Sequence, residues 1–154
     1  MLARVIFALV QFAARKGLAQ EDAEASPDNE KQRARRTGIR GETYAYWHLR
    51  RHGYILIARN YTAPGIKGEI DLVGYDGPML AFVEVKTRTS DREELGRPED
   101  AVTHEKRRAL SRMARYFLAE RRIPEAQCRF DVLAIEARAG RPPEVRLHKG
   151  AFSG

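Results

Sequence analysis

Gly68-Glu69-Ile70-Asp71-Leu72-Val73-Gly74-Tyr75-Asp76-Gly77-Pro78-Met79-Leu80-Ala81-Phe82-Val83-Glu84-Val85-Lys86-Thr87-Arg88 reads as two strands joined by a tight turn. Both runs are rich in Val, Ile, Leu and Phe, and Asp76-Gly77 between them is a strong hairpin signal. Within this apolar frame stand Glu69, Asp71, Glu84 and Lys86. Charges in a buried sheet are costly unless they are paired or hold an ion.

Side chains alternate along a strand, so Glu84 and Lys86 share a face, about 6.6 Å apart along the chain. A two-residue loop of Asp76 and Gly77 sets Tyr75 across from Pro78 and Asp71 across from Phe82. Asp71, Phe82, Glu84 and Lys86 then lie on one face, with Asp71 and Glu84 on a diagonal close enough to share a ligand. An odd-length loop would change which residues pair. The same pairing puts Glu69 opposite Glu84, as a secondary acid behind Asp71. Two carboxylates and an ammonium converging in this way suit a hard divalent cation, which takes oxygen ligands and completes its shell with water or phosphate. Mg²⁺ is the expected ion, with Mn²⁺ able to substitute. Without a metal the carboxylates repel and one pKa rises. Lys86 offsets part of that repulsion.

Asp71 followed after a hairpin by Glu84-Val85-Lys86 resembles the PD-(D/E)XK nuclease core. The fuller runs Gly-Glu-Ile-Asp-Leu-Val and Phe-Val-Glu-Val-Lys-Thr-Arg are similar to the YraN-like family of small bacterial proteins, over roughly residues 38 to 152. The Pro-Asp dipeptide of the wider pattern is absent, and Ile70 precedes Asp71. The resemblance implies an α/β, restriction-endonuclease-like domain with a mixed sheet flanked by helices and a flexible N-terminal extension. It also implies Mg²⁺-dependent hydrolysis of phosphodiester bonds in nucleic acid, DNA in the first instance, with Asp71, Glu84 and Lys86 as the catalytic set. Gly38-Ile39-Arg40-Gly41-Glu42 matches the family's opening motif and adds Glu42 to Asp71 and Glu84 as a metal ligand. The family also has a lysine at the place of Lys106. The rival reading is a nucleic-acid-binding module that keeps the fold and cuts nothing.

A chain of 154 residues supports one domain with a tail, here an extension over 1–30 and a domain over 31–154. The net charge of +7 and pI near 9.8 favour a polyanionic partner. Cys128 is the single cysteine, so no intrachain disulfide forms and a cytoplasmic location is expected. A homodimer is compatible with action on branched DNA.

Met1 to Ala14 carries an apolar helical period too short to span a bilayer, and stable membrane insertion is not expected. Gly17 to Asn29 reads as a linker, with Ser26-Pro27 interrupting any helix. Lys31, Arg33, Arg35, Arg36 and Arg40 form a basic run, read first as a solvated helix face, with phosphate contact as the functional reading. A helix is expected from Lys31 or Thr37 to His52, with Gly53 ending it. Helical spacing from Ala45 and Leu49 draws Glu42 toward the sheet. Without the motif, Glu42 is an ordinary surface glutamate. His48 and His52 lack a third zinc ligand at a recognisable spacing. Tyr44, Tyr46 and Trp47 read as core and rim.

Tyr54 to Asn60 is a strand apolar on both faces, hence central or well covered. Loops follow at Tyr61–Lys67 and Thr89–Pro98, and a helix at Glu99–Arg122 whose apolar face Lys106 interrupts. Lys106, Lys67, Arg88 and Arg40 are the expected nucleic-acid contacts. Phe130 to Ile135 is a buried strand in which Asp131 needs a partner, an arginine or a helix N-terminus. Glu144 to His148 is an edge strand.

Overall fold

The computed structural model describes residues 2–17, 27–89, 102–138 and 140–154. Five strands form one mixed sheet in the order β1 (Ile55–Tyr61), β2 (Ile70–Asp76), β3 (Met79–Thr89), β4 (Cys128–Ala137), β5 (Glu144–Phe152). All neighbours are antiparallel except β3 and β4, which run parallel. A parallel pair needs a long crossover, and helix α3 (His104–Arg121) lies between the two strands in the chain. Helices α1 (Leu2–Gly17) and α2 (Pro27–Arg51) precede the sheet. This is the α/β architecture expected, and it is consistent with a restriction-endonuclease-like fold.

Two apolar layers sandwich the sheet. On one side Phe7, Tyr44, Ala45 and Leu49 of α1 and α2 pack on Leu72, Ala81, Val83, Leu133 and Ile135. On the other, Leu110, Met113 and Phe117 of α3 pack on Val73, Phe82 and Val132. Phe117 is fully buried and meets the rings of Tyr61 and Phe82 edge-on, with centroids 5.0 and 5.7 Å away.

Several expectations shift. The hairpin loop is Gly77-Pro78, since Asp76 pairs with Met79. Gly77 takes φ 59°, and proline fixes the next φ near −65°, the dihedral signs of a type II′ turn. Asp76 stays in the strand, where Arg129 and Lys149 hold its carboxylate. The pairing therefore slides by two residues, which preserves which side chains share a face within the ladder, from Leu72 to Asp76. Val73 faces Phe82, and the ladder ends at Leu72–Val83, one residue short of Asp71. Neither the expected Asp71–Phe82 nor the expected Glu69–Glu84 pairing is part of the ladder.

Strand β1 is an edge, not central: Ile55 and Ile57, on one of its two apolar faces, are exposed, and a bulge between Leu56 and Ala58 interrupts the alternation. Helix α2 begins at Pro27, so the linker expected over 17–29 is shorter. A proline at the first helical position gives up an N–H that has no partner there. Residues 18–26 of that linker, and residues 90–98 of the expected loop beside the site, lie outside the described residues. Helix α3 starts at His104 rather than Glu99, because Thr103 caps it: extended at ψ 159°, its hydroxyl accepts from the Lys106 N–H. Lys31, Arg35, Arg36 and Arg40 are exposed on α2, the solvated face expected of the basic run.

Candidate metal centre

The site is built where β2 and β3 part. The ladder between them runs from Asp76–Met79 to Leu72–Val83. Just beyond it, the Val85 N–H donates to Asp71 Oδ2 at 2.7 Å, so a side chain takes the place of a backbone acceptor. Asp71 is thereby fixed at the gap, 8% exposed. From α2 comes Glu42, and from the loop before β2 comes Glu69. One oxygen from each of Glu42, Glu69 and Asp71 lies within 4.8 Å of the other two.

The depth of Glu42 depends on Gly41. A Cβ at position 41 would collide with Thr87 Oγ1 and come within 3.0 Å of Thr87 Cβ. Glycine lets α2 approach β3 at this point and carries Glu42 in with it. Asn60 then orients Glu42, donating from Nδ2 to Oε2 at 3.0 Å. Its backbone sits at φ 47°, a conformation that asparagine adopts more readily than most residues.

Glu84 stands outside the group of three. It is 4% exposed. Its Oε1 lies 3.0 Å from Lys86 Nζ and 3.3 Å from Lys106 Nζ. Its Oε2 is buried and finds no hydrogen-bond partner among the described residues. A buried carboxylate oxygen without a partner is expensive. Burial pushes the Asp71 carboxyl up to about 7, with the Glu84 charge adding to the rise and Glu42 further; the Val85 N–H and Lys106 oppose it. These are the features of an acid cluster short of positive charge. Hard carboxylate oxygens fit a divalent cation, which would relieve both the orphaned oxygen and the repulsion.

The predicted residues divide accordingly. Asp71, Glu84, Glu42, Lys86 and Lys106 come together. Arg88 follows Glu84 and Lys86 on the same face of β3, further along the strand. Lys67 is exposed on the loop two residues before Glu69. Arg40 is exposed on α2, about 200° around the helix from Glu42. Glu69 enters the carboxylate group more fully than its reading as a secondary acid implied. Asn60 was given no role by the sequence reading; the signal for it is an asparagine at a strand end, where positive φ is tolerated. His48 is half-buried against Phe7 and Tyr44, and burial, with His52 and Arg51 nearby, lowers its pKa to about 4. It packs the rim, and no third ligand joins it and His52 among the described residues.

A pH dependence follows from Asp71. Its folded pKa of about 7 exceeds the ordinary carboxylate value, so the metal-free native state binds more protons than the unfolded chain between about pH 4 and 7. Stability therefore falls as pH rises through that window, by about 2–4 kcal/mol when complete. Asp71→Asn keeps an acceptor for the Val85 N–H and removes the charge. In EDTA at pH 8 its unfolding midpoint is expected above that of the wild type, with the difference vanishing near pH 4. Parallel melting curves across the range would contradict this account of Asp71.

Residues 41–135, which span Glu42, Glu69, Asp71, Glu84, Lys86 and Lys106, match the model of "Uncharacterised protein family UPF0102". Similar proteins include a UPF0102 protein of Koribacter versatilis, 42% identical over 118 residues, covering 76% of this chain and 79% of that one. A UPF0102 protein of Geobacter metallireducens is 43% identical, covering 75% and 90%. One of Symbiobacterium thermophilum is also 43% identical, covering 77% and 98%. Among the described residues, no helix is long and apolar enough to cross a membrane.

Proposed function

The chain belongs to the UPF0102 family, the YraN-like family that its sequence resembles, and from its carboxylate cluster we propose that it is a divalent-metal-dependent nuclease. The observation that carries the reading is the buried, unpartnered Oε2 of Glu84 beside Asp71, with Glu42 and Glu69 closing the group. Asp71, Glu84, Glu42 and Glu69 would hold the ion, Mg²⁺ or Mn²⁺. When bound, such an ion polarises a phosphodiester and lowers the pKa of water.

The chain's own groups complete the chemistry. Lys86 is held 3.0 Å from Glu84 Oε1 and remains 29% exposed, so its ammonium can orient the attacking water and stabilise negative charge developing on phosphate. Lys106, 32% exposed and anchored on the same oxygen, presents a second ammonium to the substrate backbone. Arg88 and Lys67 extend the positive rim, and the net charge of +7 favours a polyanion.

The test is a panel of labelled duplex, flap, junction and RNA substrates incubated with Mg²⁺ or Mn²⁺, with Lys86→Ala as control. Cleavage of at least one DNA substrate is expected, dependent on the ion and lost in Lys86→Ala. Salt-sensitive binding with no product across the panel would replace the nuclease with the non-cutting binding module.

A further inference from the structure

Beside the carboxylates, on the α2 and β1 side, lies a ladder of arginine and aromatic groups that neither the family description nor the metal chemistry assigns. The Arg59 guanidinium sits over the Tyr46 ring, 4.8 Å from its centroid. Arg50 reaches the same ring at 5.7 Å and the Trp47 ring at 5.4 Å, and its Nη1 donates to the Tyr46 hydroxyl at 3.2 Å. Tyr46 and Trp47 meet edge to face at 5.1 Å. Arg50 and Arg59 are exposed, while both rings are half-buried.

Position makes the ladder part of the site's approach. Tyr46 lies one helical turn beyond Glu42 on α2, on the same side of the helix. Arg59 adjoins Asn60, whose amide holds Glu42. The sheet order sets β2, with Asp71, between β1 on one side and β3, with Glu84 and Lys86, on the other. Lys86 and Lys106 belong to the α3 layer and Tyr46 to the α2 layer, so a strand that passes the carboxylates and rounds the β1 edge reaches Arg59 and Tyr46. Lysine and arginine alike serve phosphates, and neither needs an aromatic partner to do so. Guanidinium planes set on aromatic rings offer flat surfaces on which a base can stack, and a base in a duplex has both faces already covered.

We infer that this Arg59–Tyr46–Arg50 surface receives the unpaired bases of a single-stranded segment leaving the metal centre. The substrate is then a single strand, or a duplex carrying one. The inference rests on the nuclease reading only for the direction of the strand; the binding itself needs no metal.

The experiment uses fluorescence anisotropy in EDTA on the full chain carrying Glu84→Ala, with a labelled single strand and a blunt duplex of matched length. A 2-aminopurine in the strand reports stacking. The parent is expected to bind the single strand more tightly than the duplex and to quench the 2-aminopurine. Arg59→Gln should weaken single-strand binding about tenfold with a much smaller effect on the duplex. Arg59→Lys keeps the charge, and should keep the salt dependence while losing the quenching. Arg50→Gln, which also removes a guanidinium from Tyr46, repeats the test should Arg59→Gln fail to fold. Unchanged single-strand affinity in folded variants, or equal losses on strand and duplex, would overturn the inference and leave Arg59 a clamp between α2 and the edge strand. Because these readings are made without metal in a variant that should not cut, they stand apart from the cleavage panel. A silent binder could pass them, and a nuclease could fail them.

Discussion

Replacing Glu84 with alanine is expected to abolish metal-dependent cleavage while leaving nucleic-acid binding nearly intact. The carboxylate does two things at once. Its Oε1 gathers Lys86 and Lys106, and its Oε2 is the buried oxygen without a partner. Truncation removes a proposed ligand and releases the lysine that would stabilise charge on phosphate. Metal assistance supplies several kcal/mol of transition-state stabilisation, which at 1.36 kcal/mol per tenfold is about a thousandfold or more in rate. Binding behaves differently, because the change removes one negative charge near the substrate and deletes no cation. The fold should persist: both ammonium groups are already about a third exposed, so water can replace their partner. Cleavage rates, affinity in EDTA and the melting midpoint, measured on Glu84→Ala and on the isosteric Glu84→Gln, separate the three effects. Cleavage surviving in purified Glu84→Ala would place the chemistry elsewhere.

The largest stability effect is expected at the hairpin end of the sheet, far along β2 from the metal centre. Asp131 is fully buried on β4. Arg129 Nε donates to both its oxygens, at 2.9 and 3.2 Å, and the Gly150 N–H donates to Oδ1 at 2.9 Å. The same guanidinium donates through Nη2 to Asp76 Oδ2 at 2.6 Å and to the Tyr54 hydroxyl at 3.1 Å. Lys149 Nζ completes the group, 2.6 Å from Asp76 Oδ2. The hydrogen bonds from Lys149 and Arg129 hold the Asp76 carboxyl down at about 2. That stabilisation is present above the ordinary carboxylate range and is lost as pH falls toward 2. One arginine thus ties together β2, β4 and the residue before β1. Arg129→Ala strands a buried carboxylate with a single backbone donor, and breaking a buried pair from one side costs about 3–5 kcal/mol. Chemical denaturation should show that loss. The double variant Arg129→Met with Asp131→Val should recover most of it, since the pair removed together leaves no uncompensated charge. A loss under about 1 kcal/mol in Arg129→Ala would mean that water reaches Asp131.

Much of the site could be read from the chain because a strand's two-residue period is rigid. The sequence misplaced the turn by one residue, at Asp76-Gly77 instead of Gly77-Pro78, yet the pairing moved by an even two residues and kept the faces of Leu72 to Asp76, while Glu84 and Lys86 stay together, Oε1 and Nζ 3.0 Å apart. Buried Asp131 calls for an arginine or a helix N-terminus, and of the two it is an arginine, Arg129 on the same strand, that pairs with it. What could not be read depended on contacts between elements. Nothing local to Tyr54–Asn60 reveals that β1 lies at the sheet edge, because Ile55 and Ile57 look the same whether covered or exposed. The start of α3 moved because one hydroxyl, that of Thr103, competes with continued helix. Glu69 joins Glu42 and Asp71 where β2, before Leu72, is not paired with β3, a divergence no spacing encodes. Asn60 acts through a helix 18 residues earlier in the chain.

The central claim is that Glu42, Glu69, Asp71 and Glu84 together take up a divalent ion. Titration of the metal-free protein with Mn²⁺, following loss of the free-ion electron paramagnetic resonance signal at pH 8, tests it most directly. Saturable uptake is expected, competed away by Mg²⁺ and weakened strongly by Asp71→Asn and by Glu84→Ala. A free-ion signal that rises in step with added Mn²⁺, with or without a nucleic-acid strand present, would contradict it.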